Sequence, residues 1–120
     1  MHASAQARLQ TGTGTRRLYC DLAGSGEEVR ESQALRYRVF AEELGARLPS
    51  AGLGLDVDAY DPYCHHLLVR ETGSGRVVAC TRLLADVQAA QAGGFYSEGE
   101  FDLAGIKALS ARGLRLLEVG

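Results

Sequence analysis

Leu35–Leu48 reads LRYRVFAEELGARL, and its apolar residues recur at helical spacing. With Val29 and Gln33 upstream, Arg36 or Tyr37, Phe40 and Leu44 fall on one stripe, so the stretch is the second half of an amphipathic helix. Arg36 and Phe40 stand at i and i+4 and share a face. Burying an unpaired guanidinium is costly. Arg36 therefore either snorkels to the surface or meets an acid from elsewhere in the chain.

Upstream, Ser25 and Glu28 fit a capping box, with the serine as N-cap and the glutamate at N3. The helix is expected from about Glu27 to Leu44, with Gly45 as the glycine just past its end. Before it, Arg17–Leu22 (RLYCDL) alternates like a short strand. Residues 1–15 are small and polar and are expected to be a disordered tail. Their TGTGT neither follows a strand nor opens a helix, so it does not fit a phosphate cradle. The N-terminus has no apolar core of a secretory signal.

Downstream, Arg47–Gly54 reads as a loop, followed by LDVDAYDPYCHH with three aspartates in six residues. Two strands, about 66–71 and 76–85, flank TGSG and form a β-hairpin. VQAAQAGG reads as small and flexible. A short helix is expected within Phe101–Leu109, with Asp102 near its start, and a last strand over Leu114–Val119. The order β-α-β-β-α-β gives an α+β (mixed α/β) class and one domain over residues 16–120. The chain stops on an apolar, strand-like LRLLEVG, so it is expected to be the N-terminal portion of a longer protein.

The 13 basic and 15 acidic residues lack the basic excess of a nucleic-acid binder. No apolar run approaches the roughly 20 residues of a membrane span. Cys20, Cys64 and Cys80 are an odd set with no CxxC, and are expected to be reduced thiols in a cytoplasmic protein.

Charges set among apolar neighbours are the candidates for chemistry. Arg36 lies on the helix face with Phe40. Arg82 lies in VVACTRLL on the face of Val78, Cys80 and Leu84, and Glu118 lies in LRLLEVG with Leu116. Asp58 and Asp61 precede the hairpin. Buried ion pairs stabilise poorly compared with apolar packing, so a network of them suggests a site. The bland reading is that each is a strand-edge or snorkelling charge. No metal site is expected. DVDAYD does not match an EF-hand loop, and the adjacent His65 and His66 on a strand would point to opposite faces. No local signature supports a Ser-His-Asp or Cys-His nucleophile.

Taken together, LRYRVFAEELGARL, DVDAYDPYCHHLLV, VVACTRLL and AGGFYSEGEFDL with the terminal LLEVG resemble the ornithine–acyl carrier protein N-acyltransferases. These are also called hemolysin-like acyltransferases. They belong to the GNAT superfamily and are related to the acyl-homoserine-lactone synthases. The resemblance covers about residues 18–120. It implies the N-terminal half of a GNAT fold, cut after its central strand. It also implies transfer of a 3-hydroxyacyl group from acyl carrier protein to the α-amine of L-ornithine, the first step of ornithine-lipid synthesis.

Carried over by position, the family pattern falls on Arg36, Phe40, Asp58, Asp61, Arg82 and Glu118. It implies Glu118 and Arg82 as catalytic residues, with Glu118 as base or relay. Arg36, Phe40, Asp58 and Asp61 are implied as substrate-binding residues. The acyl donor would be carried on the phosphopantetheine of acyl carrier protein, with no other cofactor. The lipid product implies peripheral association with the membrane. Two departures stand out: the E-x-x-R of the relatives stops here two residues after Glu118, and His65 occupies a position where an aspartate is expected. The 120-residue chain by itself is therefore expected to be inactive. Two alternatives stay open. One is an enzyme like an acyl-homoserine-lactone synthase, which the lack of any tryptophan disfavours. The other is a non-catalytic acyl-carrier-binding module.

Overall fold

The computed structural model describes residues 5–11, 14–48 and 50–120. Its strands are β1 (Ala5–Thr11), β2 (Gly14–Leu22), β3 (His65–Glu71), β4 (Val77–Ala85) and β5 (Leu117–Val119). Its α-helices are α1 (Gly26–Tyr37), α2 (Asp86–Ala92) and α3 (Ala104–Lys107). The chain divides into two compact units, residues 1–57 with 66–81, and residues 58–65 with 82–120.

In the first unit, β1 and β2 pair antiparallel from Ala5↔Cys20 to Thr11↔Gly14, and β2 pairs antiparallel with β3 from Leu18↔Glu71 to Leu22↔Leu67. β3 is followed in the sheet by β4. The hairpin turns where TGSG was expected to turn it. Residues 5–11 and 14–15 are strand where a disordered tail was expected, and residues 1–4, 12 and 13 of that expectation lie outside the described residues. Ala5, Ala7 and Leu9 alternate with Gln6, Arg8 and Gln10 along β1, and backbone ladder bonds complete a strand whose apolar face is made mostly of small residues.

α1 starts as the capping box demands. Ser25 Oγ accepts from the Glu28 N–H at 3.2 Å, and the Glu28 carboxylate reaches back to the Gly24 N–H, also at 3.2 Å. The reciprocal arm thus lands one residue earlier than the standard box. After Tyr37 the helix widens into a π-helical turn, Arg38–Glu43, in which the Leu44 N–H reaches Val39 O. Gly45 then takes φ +74°, as expected of a terminating glycine.

Only the part of the stripe up to Tyr37 faces inward, with Gln33 buried on it. The buried residues of α1 are Ser32 and Gln33, while Phe40 is 43% and Leu44 70% exposed. The π turn breaks the 3.6-residue period beyond Tyr37, so the i, i+4 relation of Arg36 and Phe40 no longer sets one face. Hydrogen bonds hold the buried side instead. Ser32 Oγ donates to Val29 O at 2.7 Å and lies 3.4 Å from His66 Nδ1, and Cys80 Sγ donates to Ser32 O at 3.8 Å. Leu68 and Val77 are the buried apolar residues of this unit among the described residues. Arg70 forks onto Glu31 at 2.7 and 2.8 Å.

In the second unit, β5 pairs antiparallel with the end of β4, Leu83↔Val119, Leu84↔Glu118 and Ala85↔Leu117. Leu84, Ala89 and Phe95 form its core, with Tyr60, Tyr63, Cys64, Leu103 and Leu116 around them. α2 corrects the flexible reading of VQAAQAGG. Asp86 Oδ1 accepts from the Val87 N–H at 2.8 Å, alanines favour the helix, and Gly93 ends it at φ +92°. α3 starts where expected, with Asp102 Oδ1 accepting from the Ala104 N–H at 2.9 Å. The α+β class read from the sequence is the class observed.

Candidate active site

Three candidate charges meet in the second unit. Asp58 and Asp61 bind each other's backbone: the Asp61 N–H donates to Asp58 Oδ1 at 3.1 Å, and the Asp58 N–H donates to Asp61 Oδ2 at 3.1 Å. Asp58 Oδ1 also accepts from the Tyr60 N–H at 3.0 Å. This reciprocal capping needs a separation of three residues, which explains the D-x-x-D spacing. The Asp61–Tyr63 turn, with Pro62 inside its first turn, completes the loop.

Arg82 comes up from β4 to both acids. Its Nη1 donates to Asp58 Oδ1 at 2.6 Å and to Asp61 Oδ1 at 3.1 Å. The Asp61 side chain is 4% exposed and that of Asp58 34%. Burial disfavours the charge of Arg82, but the hydrogen bonds and negative charges of Asp58 and Asp61 outweigh it and hold the guanidinium more firmly protonated than usual. Two carboxylates on one guanidinium leave the cluster with one net negative charge, suited to receive a substrate cation.

The Tyr96 ring lies beside this cluster, its centroid 5.7 Å from Cζ of Arg82. Tyr60 meets Tyr96 edge-on, with centroids 5.3 Å apart. Glu118 stands opposite Leu84 in the ladder, on the sheet face of Arg82. Its Oε1 accepts from the Tyr96 N–H at 2.8 Å and its Oε2 from the Ser97 N–H at 2.9 Å, and Ser97 Oγ donates to Oε2 as well.

The structure thus gathers Arg82, Asp58 and Asp61 and ties Glu118 to them through Tyr96. Tyr60, Tyr96 and Ser97 were not singled out from the sequence. Ser97 meets Glu118 through its hydroxyl and, like Tyr96, through a backbone N–H that any residue but proline supplies. Arg36 and Phe40 belong to the first unit. There Arg36 takes Asp56, the first of the three clustered aspartates: its Nε lies 3.3 Å from Asp56 Oδ2, and Nη2 donates to Asp56 O. The Asp56 N–H in turn donates to Gln33 O at 3.0 Å, fastening the loop to α1. No group of metal-ligating side chains is found among the described residues.

Residues 35–120 match the model of the acetyltransferase (GNAT) domain. The chain belongs to the GNAT family. The match opens on the Leu35 stretch and takes in Arg36, Phe40, Asp58, Asp61, Arg82 and Glu118. Among curated proteins, the chain is 41% identical over 106 residues to the L-ornithine N(alpha)-acyltransferase of Agrobacterium fabrum, covering 82% of this chain and 36% of that protein. Proteins of the same name from Brucella abortus and Rhodobacter capsulatus are each 42% identical over 106 residues. They cover 82% of this chain and 37% and 40% of their own lengths. The chain therefore spans little more than a third of the relatives it matches. No solved structure matches it.

Proposed function

We propose that this GNAT chain is part of an N-acyltransferase that acylates the α-amine of L-ornithine, the first step toward an ornithine lipid. The observation that supports this most is identity of about 41% over 82% of the chain to relatives bearing that activity in their name. The Arg82–Asp58–Asp61 cluster gives the reading a chemical place. The acyl donor in this reading is a 3-hydroxyacyl thioester on the phosphopantetheine of acyl carrier protein. The amine nitrogen attacks the thioester carbonyl, a C–N bond forms, the C–S bond breaks, and the carrier leaves as its thiol.

The α-ammonium must lose a proton before it attacks, and a carboxylate within hydrogen-bond reach or one water away can take it. Glu118 is the expected base or relay, but donors from Tyr96 and Ser97 already engage both of its oxygens. Asp58, with a third of its side chain exposed, is the better-placed acceptor for a substrate ammonium. Arg82 orients both aspartates, and its fixed charge suits the carboxylate of an amino acid. Arg36 and Phe40 carry the family pattern in the first unit, and substrate contact is proposed for them. The proposed setting is the cytoplasm, with the lipid product drawing the enzyme to the membrane surface. Among the described residues no helix is long and apolar enough to cross a membrane.

The 120-residue chain alone is proposed to show no turnover. The test is a chimera in which this chain replaces the matching segment of the Agrobacterium fabrum relative. Expressed in cells lacking ornithine lipid, it should yield lyso-ornithine lipid by mass spectrometry. A stable, folded chimera that binds acyl carrier protein but makes no acylated amino acid would refute the enzyme reading in favour of a binding module.

A further inference from the structure

A general base needs an oxygen free to meet the proton it removes. Glu118 has both oxygens engaged by two consecutive residues, Tyr96 and Ser97, at the start of the turn Tyr96–Gly99. Such a grip orients a backbone. The rest of the turn is pinned as well: Phe95 is buried in the core, and the Phe95 N–H donates to Glu98 Oε2 at 3.0 Å. Tyr96, between these anchors, is 56% exposed, so burial does not fix its ring. The ring is placed against Arg82 by the backbone that Glu118 holds, with Tyr60 packed edge-on against it.

We propose that Glu118 is a positioning residue that acts through Tyr96, and that Tyr96 is a further residue of the acceptor site. Glu118 clamps the 96–97 backbone, the clamped backbone sets the Tyr96 ring against the guanidinium of Arg82, and the ring leaves Arg82 one orientation toward Asp58 and Asp61. An aromatic wall on one side and two carboxylates on the other then define where an amino-acid substrate meets the cluster.

The first test is spectroscopic and needs no turnover. A ring 5.7 Å from Cζ shifts the NMR signal of the Arg82 Nε–H by its ring current. In the 120-residue chain, Tyr96→Leu should move that signal, Tyr96→Phe should leave it, and Glu118→Gln should move it in the same direction as Tyr96→Leu. The carboxamide supplies one acceptor oxygen where three donors need two. If Glu118→Gln does not fold, Glu118→Asp, which keeps the charge one methylene short, takes its place. An Arg82 signal that Tyr96→Leu does not move, or that moves with Tyr96→Leu and stays put with the Glu118 variant, overturns the proposal.

The second test is kinetic and rests on the acyltransfer reading. In the chimera, Glu118→Gln and Tyr96→Leu should each raise the KM for ornithine roughly three- to thirtyfold, the range a cation–π contact spans. The pH profile should keep its shape, and the double variant should be no worse than either single one. A base would instead show a fall in kcat on the order of a hundredfold or more, with the acidic limb of the profile gone. If the chimera makes no product at all, the acyltransfer reading fails while the NMR arm still decides this one.

Discussion

Nη1 of Arg82 lies 2.6 Å from Oδ1 of Asp58, closing a loop of 24 residues with one charged hydrogen bond. The same nitrogen reaches the buried Asp61, so the loop ahead of β3 and the end of β4 share one cation. Removing that cation takes the ion-pair partner from the buried Asp61 carboxylate. Arg82→Met is expected to cost about 2–4 kcal/mol, toward the lower end for a buried pair because Asp58 is partly solvated. Urea unfolding of the variant against the wild-type chain measures it, and a loss under about 1 kcal/mol would show that solvent screens the cluster.

The two aspartates should separate stability from activity. Asp61 is the buried partner and Asp58 the exposed one. Asp61→Asn should lower the urea midpoint more than Asp58→Asn, because the deeper group has less water to replace its lost partner. Asp58→Asn should lower acyl transfer in the chimera more than it lowers stability. The reverse ranking would move the substrate contact to Asp61.

Acid should loosen the second unit through Asp86. The side-chain hydrogen bond from Arg115, then the backbone N–H of Leu116, hold the Asp86 carboxyl well below the usual range. A carboxylate whose folded pKa is depressed stabilises fully above its unfolded value of about 3.9 and loses that contribution as pH falls toward the folded value. Wild type should therefore lose this contribution, a modest one because solvent screens the exposed Arg115, between about pH 5 and pH 2. Arg115→Ala should lose it less steeply, and the gap between the two should shrink toward the acid end. Parallel curves for the two proteins would contradict the Asp86 assignment.

Gly94 holds the approach to the Tyr96 turn. Its φ is +132°, and a Cβ there would meet Glu98 Oε2 at 2.0 Å. That oxygen is the one accepting from the Phe95 N–H, so it cannot swing aside freely. Gly94→Ala should cost about 2 kcal/mol from backbone strain with the displaced cap. Gly105→Ala in α3, where a Cβ meets nothing within 4 Å, should be neutral or slightly stabilising. Thermal unfolding of both variants checks the contrast.

Some of this was legible in the sequence. TGSG between alternating runs gave the hairpin, and Ser25 with Glu28 and Gly45 gave both ends of the helical segment, because those signals are local. β1 was missed although Ala5, Ala7 and Leu9 alternate with Gln6, Arg8 and Gln10, because alanines make a weak apolar face. α2 was misread although Asp86 at its start and Gly93 just after it marked its ends. Arg82, Asp58 and Asp61 could be singled out as charges among apolar neighbours, but which acid each arginine takes depends on the loop. Arg36 meets Asp56, a partner that spacing alone did not single out. The grip of Glu118 on Tyr96 spans 22 residues and uses a backbone N–H, so no residue type announces it.

The most direct test of the account follows the acyl group in the chimera supplied with 3-hydroxyacyl–acyl carrier protein and L-ornithine. Tandem mass spectrometry of the product reports both its amount and which amine carries the acyl group. The wild-type segment should yield N(α)-acylated ornithine, and Arg82→Met should lower it on the order of a hundredfold in a chimera that remains folded. Undiminished product from Arg82→Met, or acylation of the δ-amine, would contradict it.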